Sequence, residues 1–225
     1  MIIQLRLGIS NAFVIKGSRS VLVDVGSHGT TRSLLQALRR EGIDINDISL
    51  VLHTHGHSDH CAATWDSKQT IAAPVAIHAA DAAMLKSGTN YPLIPTRLTG
   101  TILKCFVDRR FQGVTPDILI EQETDLESYG VDARVILTPG HTPGSISVLT
   151  GEGEIIVGDI MMGGHLGGAL LSHRPRYHYF ADDLDQVRAS IKKVMDHSPR
   201  KIYVGHGGPL GPGAVLERFS REIGL

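Results

Sequence analysis

The chain has 225 residues, with 22 basic and 23 acidic side chains and a formal net charge of −1. That length can bury a substantial core in one large domain or two intimate halves, and a near-neutral balance without like-charge runs leaves no electrostatic footprint for nucleic acid. Cys61 and Cys105 make no disulfide framework, and no apolar stretch reaches the ~20 residues of a membrane span.

Residues 2–7 read as a strand rather than a secretory leader, because no basic region precedes a long apolar core. The expectation is a cytoplasmic protein with no integral membrane segment. Short strands follow at 12–16 and 20–25, with turns at Gly17-Ser18 and Gly26-Ser27. Thr31 to Arg40 reads as an amphipathic helix, striped by Leu34, Leu35 and Leu38 and ended by Gly42. Strands at 48–53 and 74–78 come next.

Residues 80–115 interrupt this pattern with Tyr91-Pro-Leu-Ile-Pro95 and a mixed apolar and basic run from Leu98 to Phe111. Ile102, Leu103, Phe106 and Val107 form a helical apolar face there. The segment reads as a lid, as a helix touching lipid, or as a helix packed on its own domain or on a second subunit of a homodimer. Phe106 and Phe111 are its candidate substrate contacts.

Strand patterns return at 118–120, 133–137, 145–149 and 154–157. A Gly-rich loop, 163–168, precedes Ser172-His-Arg-Pro-Arg-Tyr-His-Tyr-Phe180, where Arg176, Tyr177, His178 and Tyr179 are candidate substrate contacts. A helix at 182–196, a strand at 201–204 and a helix at 213–223 close the chain. This order suits an α/β fold: a four-layer αββα sandwich of two mixed sheets packed face to face, helices outside. The expected organisation is a single domain, 1–225, with the 80–115 segment inserted.

The most informative stretch is His53-Thr-His-Gly-His-Ser-Asp-His60, which follows the buried strand Ile48-Ser-Leu-Val-Leu52. In extended chain alternate side chains point one way, so His55 and His57 can face one metal. Ser58 can cap a helix that turns Asp59 and His60 toward a second metal. Neutral imidazoles with a carboxylate suit zinc, and also iron or manganese. His53 shares the parity of His55 but reads as a hydrogen-bonded core residue, and Cys61 as a small buried hydrophobe.

The pattern H-x-H-x-D-H resembles the metallo-β-lactamase-fold hydrolase superfamily, and later segments extend the likeness. Thr138-Pro-Gly-His141-Thr, Val157-Gly-Asp159 and Gly205-His206-Gly stand where the family completes its site. The resemblance implies that His55, His57 and His141 hold one metal, that Asp59, His60 and His206 hold the other, and that Asp159 bridges them. It also places Asp24, after the strand Val21-Leu-Val23, to orient a metal-bound histidine through its other ring nitrogen. Among the branches, the glyoxalase II and lactonase-like group fits best. The bridging Asp159 argues against β-lactam hydrolysis as the main activity, and Met162 stands where lactonases commonly place a Tyr.

The cofactors implied are two divalent ions, zinc first, with iron and manganese also compatible. Paired ions that share a water lower its pKa toward neutrality. The expected function is hydrolysis of a small acyl ester, thioester or lactone by metal-bound hydroxide, with Asp59 assisting proton transfer. An iron-dependent oxygenase resembling persulfide dioxygenases, and a non-catalytic metal- or ligand-binding module, are the alternatives.

Overall fold

Six strands form the first sheet, in the order β1 (Ile2–Arg6), β2 (Asn11–Lys16), β3 (Ser20–Val23), β4 (Ile48–Leu52), β5 (Val75–His78) and β6 (Ile118–Ile120). The pairs from β1 to β3 are antiparallel, and those from β3 to β6 are parallel. The second sheet contains β7 (Thr124–Asp125), β8 (Ala133–Leu137), β9 (Ile146–Thr150), β10 (Glu154–Ile156) and β13 (Lys201–Tyr203), ordered β13-β10-β9-β8-β7. Its β10–β13 pair is parallel and its other pairs are antiparallel. A hairpin of β11 (Met162–His165) and β12 (Leu170–Arg176) stands apart. The helices are α1 (Thr31–Arg40), α2 (Ser58–Cys61), α3 (Thr64–Ser67), α4 (Ala82–Ser87), α5 (Leu98–Val107), α6 (Leu184–Asp196) and α7 (Pro212–Ile223). The computed structural model describes residues 1–90, 93–107 and 109–224, with every side chain among them except Cys105 and Phe106. Among the described residues no helix is long and apolar enough to cross a membrane.

The layering follows from strands that are apolar on both faces, as sheets covered by helices require. Along β2, Phe13 and Ile15 enter the core between the sheets, while Val14 enters the core under α1. Val21 and Val23 against Leu22, and Leu50 and Leu52 against Val51, repeat this period of two. In the second sheet Val135 and Ile156 face the first sheet, while Ile136 and Ile155 face α6 and α7. Leu34 and Leu38 of α1 close one outer layer, and Val187, Ile191, Val215 and Phe219 close the other. This is the expected αββα sandwich. Truncating one central side chain, Leu52→Ala, is expected to cost about 2–5 kcal/mol.

Helix ends follow local chemistry. The Asp183 side chain accepts the Asp185 and Gln186 N–H groups at the start of α6. Pro212 starts α7, and Gly224 ends it in the left-handed region.

Two expectations are corrected. Residues 163–168 are not simply a loop, because Gly163 and Gly164 are strand residues of the β11–β12 hairpin. A side chain at Gly163 or Gly164 would collide with the β12 backbone at Ser172 or Leu170, so glycine here permits pairing rather than preventing it. Ser58 does not cap α2: His57 occupies that position, and the Ser58 N–H donates to Asn90 Oδ1 at 2.7 Å.

Candidate metal centre

The expected ligands, and Asp24 that is expected to orient one of them, lie beyond strand C-termini, on one edge of the sandwich. β3 runs into Asp24, β4 into His55 and His57, β8 into His141, β10 into Asp159, and β13 into His206. The carboxyl ends of strands are where α/β sheets leave room for ligands.

The first loop is tied down residue by residue. His53 N–H continues the sheet ladder to Ala76 O at 2.9 Å. Thr54 donates its N–H and its hydroxyl to Asp24, both at 2.8 Å, and Gly56 N–H donates to Asp81 Oδ2 at 2.8 Å. The chain bends over residues 54–56 beyond β4, and His55 and His57 both turn toward His141. His53 turns away, with Nε2 3.0 Å from the Thr64 hydroxyl, so it sits in the core as expected. Cys61 is buried, and burial pushes its thiol pKa well up, which suits an inert core residue.

Two groups of donors converge, and His141, Asp159 and His178 make a third that overlaps both. His57 Nδ1 lies 2.9 Å from His141 Nε2, and His55 joins them in one group. Asp59, His60, Asp159 and His206 form the second group. Asp159 Oδ2 sits between the two, 3.8 Å from His55 Nε2, 3.7 Å from His141 Nε2, 3.4 Å from His60 Nε2 and 3.1 Å from His206 Nε2. Asp59 Oδ2 is 3.1 Å from His206 Nε2. A side chain at Gly205 would run into the Asp159 carboxylate and the His60 ring, so glycine there leaves the cluster room to close.

Outer contacts orient the rings. His60 Nδ1 meets Asp24 Oδ2 at 2.8 Å, where Asp24 is expected to act. The Nδ1 of His141 donates to Phe180 O at 2.9 Å, and that of His206 to Ile9 O at 2.6 Å. In each ring the remaining nitrogen is left facing the cluster.

The residues fit metal ions. His55 Nε2, His60 Nε2 and Asp159 Oδ1 are buried without a hydrogen-bond partner among the described residues. An unpaired buried polar atom costs about 1–3 kcal/mol, and here three converge in a set of imidazoles and carboxylates. That donor chemistry suits zinc, iron or manganese.

Charge divides the cluster in the absence of metal. Burial lowers the pKa of His57 to about 4 and that of His141 to about 3, and it drives His55 well down too. Burial also opposes charge on His206, but the Asp159 and Asp59 carboxylates outweigh it and raise the pKa to about 10. The same contest, won by Asp159, Asp24 and Asp59, holds His60 well above its usual value. One group is therefore neutral imidazole, and the other is a cationic pair beside two carboxylates.

A cavity of about 300 Å³ opens over the cluster. His57, Asp59, His178 and His206 form its floor, and Leu93, Leu103, Val107, Met162, Leu166 and Phe180 form most of its wall. His178 and Tyr179 both line it. Arg176 does not; it contacts His165 Nδ1 and lies over the Tyr179 ring, 5.4 Å from its centroid.

Tyr177 is turned the other way, which corrects its expected substrate contact. It is buried against Phe219, with ring centroids 4.9 Å apart, and its hydroxyl donates to Glu222 at 2.6 Å. The chain leaves β12 at Arg176, and in the irregular stretch that follows Tyr177 turns to the α7 core while His178 and Tyr179 turn to the cavity. Phe111 is corrected too: it packs partly buried on the core beneath the first sheet. The Phe106 side chain lies outside the described residues. The apolar face expected on α5 splits, with Leu103 and Val107 lining the cavity while Ile102 stays 61% exposed.

Sequence reading missed Asp81, Asn90 and the depth of His178. Asp81 Oδ2 accepts from Gly56 N–H and the Thr142 hydroxyl, and Oδ1 accepts from Gly144 N–H. It thus joins the loop carrying His55 and His57 to the loop carrying His141. His178 Nε2 reaches 3.4 Å from Asp159 Oδ2, and its ring stacks on His206 with centroids 5.1 Å apart. Nothing in the local sequence marks Asp81, whereas His178 is signalled by its position after the hairpin that follows Asp159.

Comparison with known proteins agrees with this geometry. A probable metallo-hydrolase of Methanocaldococcus jannaschii is 32% identical over 202 residues, covering 88% of this chain and 87% of that protein. A probable metallo-hydrolase of Bacillus subtilis is 25% identical over 206 residues, covering 84% of this chain and 76% of that protein. The crystal structure of the BLEG-1 B3 metallo-β-lactamase superposes with a TM-score of 0.71 at 27% identity, covering 97% of both chains. Residues 5–206 match the profile of the metallo-β-lactamase superfamily, and the chain belongs to that superfamily.

Proposed function

We propose that the protein is a binuclear metal-dependent hydrolase acting on a small acyl ester, thioester or lactone. The observation that carries this reading is the position of Asp159. One of its oxygens lies within 3.8 Å of a nitrogen from His55, His60, His141 and His206, so a single carboxylate reaches both donor groups. His55, His57 and His141 would hold one ion and Asp59, His60 and His206 the other, with Asp159 shared; zinc, iron and manganese all suit the donors. Bound there, two cations would supply Lewis acidity and lower the pKa of a shared water toward ~7.

The chain's own groups do the rest. Asp59, at the cavity floor, accepts a proton from the attacking water. His178 supplies a donor. The Phe180 N–H lies 3.3 Å from His178 Nδ1, while Phe180 O already takes the His141 Nδ1 proton at 2.9 Å. Nδ1 is also 3.3 Å from Phe180 O, but that oxygen already holds the shorter bond from His141, so Nδ1 accepts the Phe180 N–H and Nε2 is the protonated nitrogen. Burial holds the His178 pKa at about 3, so this donor is neutral. It faces the cluster, where it can hydrogen-bond the oxygen of a substrate carbonyl as charge builds there. Water adds to the acyl carbon, the C–O or C–S bond breaks, and the leaving group takes a proton. No oxidant enters the balance.

The test is a panel on metal-loaded protein: an ester, a thioester, a lactone, a β-lactam, and a persulfide with oxygen uptake recorded. Turnover of an acyl ester, thioester or lactone without oxygen is expected. Asp59→Asn should retain metal and lose ~10²-fold or more in turnover. Activity confined to the persulfide, with stoichiometric oxygen consumption, or confined to the β-lactam, would overturn the reading.

A further inference from the structure

The cavity above the cluster says more about the substrate, given the hydrolase reading proposed above. Its floor is polar and its wall is hydrocarbon. Leu103 and Val107 come from α5, Leu93 from the segment before it, Met162 and Leu166 from the hairpin, and Phe180 from the strand-like stretch beyond. Asn90, a polar side chain in the wall, is committed to the backbone: Oδ1 accepts from Ser58 N–H at 2.7 Å and Nδ2 donates to Val107 O at 3.1 Å. At the mouth stand Ile9 and Leu166, 53% and 66% exposed. No lysine, arginine or glutamate lines the space among the described residues. Beyond the floor, Ser58 and Tyr179 bring the two hydroxyl-bearing side chains of the described lining, so a charged or heavily hydroxylated acyl group would lose its hydration there and gain few partners.

The geometry points to an apolar acyl chain as the group this cavity receives, its carbonyl at the cluster and its tail between α5 and the hairpin. About 300 Å³ holds on the order of ten non-hydrogen atoms, at ~30 Å³ for a group the size of water. That corresponds to an acyl chain of about eight carbons. The reaction remains the hydrolysis already balanced: water is added across the acyl C–O or C–S bond, giving a medium-chain carboxylic acid and an alcohol or thiol.

This contradicts one expectation and keeps another. The inserted segment does contribute to the site, but through Leu103 and Val107 and not through Phe111.

The experiment is a chain-length series of p-nitrophenyl esters, acetyl to decanoyl, on the metal-loaded full chain. Each methylene buried should raise kcat/KM about threefold to fourfold, with the rise ending near eight carbons. Leu103→Trp and Val107→Phe each fill part of the space, and each should lower the octanoyl-to-acetyl ratio by at least about tenfold. Calorimetry on wild-type metal-loaded protein gives a readout without turnover: octanoate should bind at least about tenfold tighter than acetate. A flat or falling chain-length profile, a wild-type profile in both variants, or equal affinities for the two carboxylates would overturn the inference. If no ester, thioester or lactone of any chain length is hydrolysed, the hydrolase reading fails, while the calorimetry still decides whether the cavity takes an apolar chain.

Discussion

Asp81 Oδ2 accepts the Thr142 hydroxyl at 2.7 Å, and the same oxygen accepts the Gly56 N–H at 2.8 Å. Gly56 lies between His55 and His57, and Thr142 follows His141. One buried carboxylate, with no place in the expected ligand set, therefore fixes the spacing of three histidines. Burial raises its pKa even though its hydrogen bonds from Thr142, Gly56 and Gly144 pull the other way. Asp81→Ala should leave the Gly56 and Gly144 N–H groups unpaired, while the Thr142 hydroxyl can turn to Ser145 Oγ at 2.8 Å. The substitution should cost on the order of 3 kcal/mol, at about 1–3 kcal/mol for each unsatisfied group. Chemical denaturation of the metal-free protein measures this, and a change below ~0.5 kcal/mol would place Asp81 among indifferent surface substitutions.

Metal loading should release protons unequally. Ligand histidines must be neutral. His57 and His141, with pKa values near 4 and 3, are already neutral at pH 6. His60 and His206 are not, since carboxylates raise them, His206 to about 10. For a raised histidine, the stabilisation of the metal-free fold is complete below its unfolded value and is lost as pH rises through the folded one. Metal binding competes with those protons, so one ion should displace about two protons and the other about none. Calorimetry at pH 6 in buffers of different ionisation enthalpy reads the difference. Equal release for both ions would contradict the assignment of the two groups.

His178 should matter to rate more than to metal content. Removing an oxyanion donor typically costs ~10²–10³ in kcat. His178→Ala should lose that much while elemental analysis still finds the full metal complement. His178→Gln keeps an N–H donor and should recover part of the loss. Wild-type kcat in the alanine variant would remove His178 from the chemistry.

Asp182 predicts a pH dependence of stability. Partial burial, and after it the charge of Asp81, raises its pKa from 3.8 to about 6. A raised carboxylate contributes stability that is complete below its unfolded pKa and is lost as pH rises through the folded value. The loss should therefore fall between about pH 4 and pH 6. Asp182→Asn should then be more stable than wild type at pH 7, by about 1 kcal/mol after allowance for solvent screening, with no gain at pH 3.5. A gain independent of pH would contradict this origin.

Strand-forming and ligand residues were legible because each depends on a short local pattern. Ile48-Ser-Leu-Val-Leu52 and Ala133-Arg-Val-Ile-Leu137 are strands as read, and the ligand motifs fall at strand ends. Asp81 was not legible, because its partners Gly56 and Thr142 lie 25 and 61 residues away. The hairpin at 162–176 was hidden by glycines, whose strand role depends on how closely β12 approaches. Tyr177 and His178 read alike in sequence. The twist of the chain after β12 sends one to the α7 core and the other to the cluster.

The most direct measurement is hydrolysis of an acyl ester by metal-free protein titrated with zinc under anaerobic conditions. The two-group geometry around Asp159 predicts that turnover appears on metal addition and climbs until two equivalents per chain are bound. Turnover that saturates at one equivalent, or that requires oxygen, would contradict it.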